Sequence, residues 1–205
     1  MAIRRLLVLL LITASAMSAS AGTAPRHHVP ARNFAATPSA AGTTAPSADS
    51  VVAAACKEAA ATHRKVFLIF HASWCGWCHR MDSIMGAPVC KPLFDANYVI
   101  THLVIMETGP KQVLINPGAQ DLYNKYAGGD NQGIPFFLII GADGRVIQDS
   151  RIKPQGAAPG SQGNNTGCPE EVAELDYFVQ VLKETSGLTA DQVATIRAQF
   201  TRKKA

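Results

Sequence analysis

The apolar positions fall into one isolated run near the start of the chain and an alternating series further on. Leu6 to Ile12 is unbroken and apolar, but from Thr13 the residues turn small and polar. Gly22 to Ala48 consists mainly of Ala, Thr, Ser and Pro, with prolines at 25, 30, 38 and 46 and few large apolar residues, Phe34 among them. Such a stretch buries too little surface to offset chain entropy, so residues 22–48 read as a disordered linker. Strand-like and helix-like patterns then alternate over residues 49–187, as expected of an α/β domain. Ser47 or Asp49 can cap an Ala-rich helix that carries Val51, Val52 and Cys56 and runs to about His63. Val66-Phe67-Leu68-Ile69-Phe70 has the short, continuous apolar character of a strand buried on both faces.

That strand feeds into Trp74-Cys75-Gly76-Trp77-Cys78-His79, after which Arg80 to Met85 predict a short helix interrupted by Gly86 and Pro88. A second buried strand is expected at Tyr98 to Ile105, and a helix at about Gly118 to Tyr126 ended by Gly128-Gly129. Ile134 to Ile140 predicts a third strand, which Gly141-Ala142-Asp143-Gly144 turns into a hairpin partner at Arg145 to Gln148. Pro154 to Gly167 is rich in Gly, Pro, Gln and Asn and reads as loop. A helix with Pro169 at its first position and acids in its N-terminal part should follow and stop before Gly187. Over residues 188–205, Thr189 and Gln192 form a capping box for an amphipathic helical tail. Its Val193, Ile196 and Phe200 share one face, expected to pack back on the domain ahead of Arg202-Lys203-Lys204.

Composition narrows the classes of function. The chain has 205 residues, 47% apolar and 17% charged, which suits one globular domain with attachments. A net charge of +4 from 19 basic and 15 acidic residues is too sparse a positive field for nucleic-acid binding. The charges also give the first apolar run a meaning. Arg4 and Arg5 precede it and Ala19-Ser20-Ala21 supplies the small-residue pattern of a cleavage site, so residues 1–21 predict a signal peptide cut after Ala21. A retained anchor would need about 20 apolar residues, which this run lacks, so no stable membrane insertion is expected. Export to the periplasm, or secretion, would place five cysteines in an oxidising compartment. Their odd number leaves at least one thiol outside internal pairing. His27 and His28 read as solvated residues of the tether, and no metal site is assigned to them.

The chemistry sits at Cys75 and Cys78. Two thiols three positions apart at a strand-to-helix junction can close a small disulfide ring, and the helix N-terminus stabilises a thiolate on the first. Cys75 is therefore the expected attacking group. Cys78, one turn inside, would resolve a mixed disulfide by attacking Cys75 and releasing the reduced partner. Trp74 and Trp77 can wall the site with apolar surface for docking a substrate chain, or serve as ordinary packed aromatics.

On these residues the sequence resembles the thioredoxin superfamily. The strand Val66 to Phe70, the site Trp74-Cys75-Gly76-Trp77-Cys78 and the segment Gly133-Ile134-Pro135 carry the likeness, which spans about Asp49 to Glu184. The string Trp-Cys-Gly-Trp-Cys-His-Arg-Met-Asp looks most like exported bacterial thioredoxin-like proteins. The resemblance implies a thioredoxin fold, an α/β structure with a central mixed β-sheet flanked by helices on both faces. It also implies a cis-proline segment facing the cysteines, with Ile134 offering main-chain hydrogen bonds to substrate and Pro135 shaping the groove. Cys90 and Cys168, on elements that share one sheet face in that fold, become candidates for a structural disulfide, although Cys168 could instead be a second low-pKa thiol at a helix N-terminus. Two departures stand out. The family's buried acid, six positions before the first active cysteine, is replaced by Ile69, leaving His71 and His79 as candidates for proton transfer. Trp77 stands where a proline usually lies between the cysteines, so the reduction potential is not inferable from familiar members.

Other readings of the same residues remain open. Cys75-Gly76-Trp77-Cys78-His79 is also a c-type haem attachment pattern, though it follows a buried strand here, whereas small c-type cytochromes are mainly helical. Structural zinc would need two further ligands, and no second cysteine pair supplies them. A non-catalytic binding or chaperone module could keep the fold without turnover, although it would have no use for an intact cysteine pair. Cys56 reads as a small buried apolar residue. The expectation is an exported protein-disulfide oxidoreductase of undecided direction, without cofactor or metal. It would act as a monomer on protein thiol or disulfide substrates and be served by a redox partner not identified by the sequence.

Overall fold

The computed structural model describes residues 45–128 and 132–201. The segments expected to be a signal peptide (1–21) and, up to residue 44, a linker, with His27 and His28, and also Gly129 and the basic end at Arg202-Lys203-Lys204, lie outside the described residues. Helix α1 (Ala48–Thr62) starts where Ser47 Oγ accepts the Ser50 amide and ends at His63, whose left-handed φ of 55° lets its N–H reach Ala59 O. Strand β1 (Lys65–His71) leads to α2 (Gly76–Met85), α3 (Lys91–Asp95), β2 (Tyr98–Val104) and α4 (Ala119–Ala127). Strands β3 (Phe136–Ile140) and β4 (Val146–Asp149) follow, then the two-residue strands β5 (Arg151–Ile152) and β6 (Asn164–Asn165), α5 (Val172–Thr185) and α6 (Ala190–Phe200).

The main sheet is mixed, with strand order β2-β1-β3-β4. Strand β1 runs parallel to β2 and antiparallel to β3, and β4 pairs antiparallel with β3. Its apolar runs are continuous because both faces are covered. Phe67, Ile69, Phe137 and Ile139 point into a core closed by α2, α3, α5 and α6, where Phe67 meets Phe137 at 5.0 Å between ring centroids. Val66, Leu68, Phe70, Phe136 and Leu138 point the other way, onto α1 and α4. The tail helix completes the first core: Ile196 and Phe200 are buried there, and the Phe200 and Phe178 rings lie 4.9 Å apart.

Four expectations need correction. Pro169 does not open α5. Glu171 is the N-cap, because the Glu174 carboxylate reaches back to the backbone N–H groups of Glu170 and Glu171 and fixes the start three residues later. The loop from Pro154 to Gly167 is not wholly irregular, since β6 returns through it to pair with β5. The hairpin strand is shifted by one residue to Val146–Asp149, with an irregularity in register between Ile139 and Ile140. Cys56 is half-buried rather than enclosed, at the edge of the α1 core.

Candidate active site

Strand β1 ends at His71 and the chain turns through Ala72, Ser73 and Trp74, with the Cys75 N–H donating to Ala72 O at 3.0 Å. Cys75 is the N-cap of α2, and its Sγ accepts the Cys78 backbone N–H at 3.1 Å. A side-chain acceptor at this position satisfies a donor that the first turn of a helix leaves free, and the same donor favours a thiolate when the pair is reduced. Cys75 and Cys78 form a disulfide with Cα atoms 5.3 Å apart. Both are buried, packed with Ala72 and Ile134 in a small apolar cluster.

The tryptophans flanking the pair are open to solvent, Trp74 at 57% and Trp77 at 50% exposure. Trp74 is nonetheless oriented, because its Nε1 donates to Met106 O at 2.9 Å. The Arg80 guanidinium lies 5.3 Å from the Trp77 ring and pairs with Glu170 at 3.2 Å. Opposite them, the Ile134–Pro135 peptide bond is cis and Ile134 O lies 3.5 Å from Cys75 Sγ. Gly133 precedes it with φ 75°, a left-handed conformation that a side chain would strain. An open groove of about 270 Å³ runs from Trp77 past Ile134 and Pro135 to Asn165, Cys168 and Glu171.

The histidines expected near the chemistry flank it without touching the sulfurs. His79 Nε2 is bonded to Ser73 O at 2.9 Å. The His71 ring lies 4.8 Å from that of His102, which is bonded to Asp82 Oδ1 at 2.9 Å. Burial, and next the neighbouring His102, push the His71 pKa below the ordinary imidazole range, with Asp82 opposing them. Ile69, where the family has an acid, is fully enclosed in the α2-side core.

The structure supplies an acid that sequence reasoning missed. Glu107, just beyond β2, is buried, and its carboxylate accepts the Ser73 backbone N–H and the Ser73 hydroxyl at 3.0 Å. Lys111 donates to the same hydroxyl at 2.9 Å. Glu107 thus ties the β2 exit to the active-site turn. No local pattern marked it, because its partner lies 34 positions away.

The expectations for the other thiols do not hold. Cys90 and Cys168 are both free and buried, and no bridge joins them. Cys168 is not an activated thiol either. Helix α5 begins only at Val172, and burial pushes the Cys168 pKa up to about 12, with Arg80 opposing. Burial likewise raises the Cys90 thiol.

Residues 48–142 match the family described as thioredoxin-like. No curated protein sequence matches the chain. Among solved structures, a disulphide isomerase from Xylella fastidiosa Temecula1 aligns at 19% identity over 58% of this chain and 80% of its own, with a TM-score of 0.41. A DsbH oxidoreductase aligns at 18% identity over 77% and 94%, TM-score 0.38. The oxidised C-terminal domain of DsbD from Neisseria meningitidis aligns at 17% identity over 70% and 99%, TM-score 0.39. With its mixed four-stranded sheet flanked by helices and a Cys-Gly-Trp-Cys disulfide at the start of the helix after β1, the described chain has a thioredoxin-like fold, and residues 48–142 are the part that matches the family.

Proposed function

We propose that the chain is an exported thiol–disulfide oxidoreductase that exchanges disulfides with protein substrates. The observation that carries this reading is the position of Cys75 Sγ, bonded to Cys78, held at a helix N-terminus and 3.5 Å from Ile134 O, with the groove past Trp77, Ile134 and Pro135 beside it. In the reducing direction the Cys75 thiolate attacks one sulfur of a substrate disulfide. The substrate S–S bond breaks, one substrate thiolate leaves, and a mixed disulfide forms. The Cys78 thiolate then attacks Cys75 Sγ, closing the Cys75–Cys78 bond and releasing the second substrate thiolate. Two electrons pass to the substrate, and a dithiol partner restores the reduced pair by the same exchange. Run backwards, the oxidised pair accepts two electrons from a substrate dithiol.

The remaining residues take supporting roles. Trp74 and Trp77 offer apolar surface to the substrate chain, Ile134 lends its backbone, and Pro135 shapes the groove. Ionising Cys78 releases a proton that Ile69 cannot take. His71, favoured in its neutral form, and His79 flank the turn and are the candidates to exchange it with solvent. On this reading residues 1–21 are a signal removed after Ala21, and the mature protein, beginning at Gly22, works as a monomer in the periplasm or outside the cell.

Three measurements test the reading. Equilibrating the Cys75–Cys78 pair against glutathione buffers should give a reversible two-electron titration whose midpoint sets the direction. Cys78→Ser should accumulate a mixed disulfide through Cys75, and its absence with a reactive protein disulfide would sink the proposed order of attack. Sequencing the N-terminus of the cell-fractionated protein tests export, and a mature chain still beginning at Met1 in the cytoplasm would refute it.

A further inference from the structure

The groove wall opposite Trp77 is formed by Gln132, Gly133, Ile134 and Pro135, and one side chain holds most of it. Asn165 Nδ2 faces three backbone carbonyls of this segment, Pro135 O at 3.0 Å, Gln132 O at 3.1 Å and Gly133 O at 3.4 Å. Its backbone N–H donates to Gln132 Oε1 at 3.2 Å. The other end of the amide is fixed as firmly. Asn165 Oδ1 accepts the Ser150 hydroxyl at 2.7 Å and the Gly167 N–H at 3.1 Å. Ser150 is fully buried, and its Oγ accepts the Phe137 N–H at 3.1 Å. A chain of hydrogen bonds therefore runs from the start of β3, through Ser150 and Asn165, to the carbonyls on both sides of Ile134 O. That oxygen is the one 3.5 Å from Cys75 Sγ.

The donors and acceptors match without surplus. An amide nitrogen has two hydrogens, taken by the two shorter contacts with the third carbonyl sharing, and the amide oxygen receives two donors. The loop has little else to fix it. Gly133 has the widest backbone freedom of any residue, and Tyr123 donates to Gly133 O at 3.2 Å as a second tie. Asn165 is itself anchored from behind, since β6 pairs with β5 and Arg151 Nε donates to Gly163 O at 3.0 Å.

We propose that Asn165 is a positioning residue for disulfide exchange, setting the distance and orientation of the Gln132–Pro135 wall relative to Cys75 so that an extended protein substrate is held in line for attack. The proposal rests on the oxidoreductase reading above. It predicts discrimination by substrate size. A protein disulfide leans on the wall, whereas a small symmetrical disulfide reaches Cys75 Sγ without it.

The test uses the full chain, reduced, with insulin as the protein disulfide and hydroxyethyl disulfide as the small one. Asn165→Ala removes both ends of the amide link. Asn165→Asp keeps the acceptor for Ser150 and Gly167 but sets a carboxylate against three carbonyls. Both variants should lose about tenfold in kcat/KM on insulin, while the rate with hydroxyethyl disulfide stays within about twofold and the equilibrium constant with glutathione is unchanged. In Asn165→Asp the insulin-to-small-disulfide rate ratio should recover as the pH falls, because a protonated carboxyl donates again.

Equal losses on both substrates, or no loss on insulin, would overturn the proposal. So would an Asn165→Asp variant that matches the unaltered protein on insulin at neutral pH. If Asn165→Ala does not fold, Asn165→Asp and Asn165→Ser decide by the same ratio. Failure of the unaltered protein to reduce either disulfide would remove the oxidoreductase reading, and this inference with it. Turnover of both disulfides by the unaltered protein, with no discrimination in the variants, would remove this inference alone.

Discussion

The two walls of the groove beside the cysteine pair are built by opposite means. On the helix side, Trp74 and Trp77 stand half in solvent on a turn whose footing is the apolar run Val66–Phe70 of β1. On the other side, the Gln132–Pro135 segment and β6 rest on polar residues that are buried: Asp149, Ser150, Arg151 and Lys153. Asp149 Oδ1 accepts both Lys153 Nζ and the Arg151 N–H, and its Oδ2 accepts the Gly160 N–H. An exposed aromatic can be removed at little cost, since Trp77 leaves no polar partner behind and Trp74 leaves only the part-exposed Met106 carbonyl. A buried carboxylate or ammonium cannot, because its partners lose both water and their hydrogen bonds. Changes on the helix side should therefore act on kinetics with little cost in stability, and changes in the polar wall should reach stability directly.

The reactive sulfur itself sits on the helix side, and its removal has the largest effect expected anywhere in the molecule. Cys75→Ser should lower insulin reduction by at least about a thousandfold, measured at saturating reductant, while urea unfolding of the reduced protein shifts by less than about 1 kcal/mol. Residual turnover near the unaltered rate would place the nucleophile elsewhere and break the division at its strongest point.

Next in size is the foundation of the polar wall. Asp149→Ala strands the buried Lys153 ammonium and the Gly160 and Arg151 N–H groups, and should cost about 3–5 kcal/mol in urea unfolding. Replacing both partners, Asp149→Leu with Lys153→Met, should recover a large part of that loss, because the pair is then absent rather than broken. A single-variant loss under about 1 kcal/mol would mean that this wall does not depend on its buried charges.

The same division governs how much could be read from sequence. Strand β1, the Cys-x-x-Cys helix start and the Gly-Ile-Pro entry to β3 are local patterns in which continuous apolar runs and turn residues name their own environment. So is the α6 capping box, where Thr189 and Gln192 bond each other's backbone groups. The polar wall was opaque for a physical reason. Asp149, Lys153 and Asn165 carry the residue types of a solvated loop, yet Asp149 and Lys153 are buried and Asn165 is half-buried where β6 returns onto β5. Glu107 was hidden in the same way, by a long-range bond to Ser73. The start of α5 was legible in principle, since Glu171 followed by Glu174 is an acidic variant of the capping signature. Pro at the first helical position was a competing signal and pointed three residues too early.

A smaller effect tests the helix wall without touching its sulfur. Trp77→Ala should raise KM for insulin and lower kcat/KM about fivefold, while stability stays within about 0.5 kcal/mol. Arg80 keeps its partner Glu170, so no charge is stranded. A fall in kcat at unchanged KM would instead make Trp77 part of the reacting geometry, and a stability loss above about 1 kcal/mol would show that its exposed face is not free.

The smallest expected effect sharpens the contrast by comparing a cysteine on each wall. Cys75 caps a helix and accepts a backbone N–H, whereas Cys168, on the far side of the groove, is buried at the edge of the apolar core with its pKa pushed up to about 12. In the reduced protein at pH 8, iodoacetamide should therefore modify Cys75, whose thiolate the helix N–H favours, much faster than Cys168, which stays protonated. Linkage gives the same residue a stability signature. Above the ordinary thiol pKa near 9 the unfolded chain loses this proton while the folded chain retains it, so the unfolded state binds fewer protons and stability falls as the pH rises from about 9 toward 12. At pH 9.5 the Cys168 contribution to that fall should be below about 1 kcal/mol, read as the difference in alkaline slope between the unaltered chain and Cys168→Ala. Cys90, raised by burial in both proteins, cancels from the comparison. Identical slopes, or early labelling of Cys168, would mean that the second wall opens to solvent in the native state, and the difference between the two walls would then be one of dynamics and not of burial.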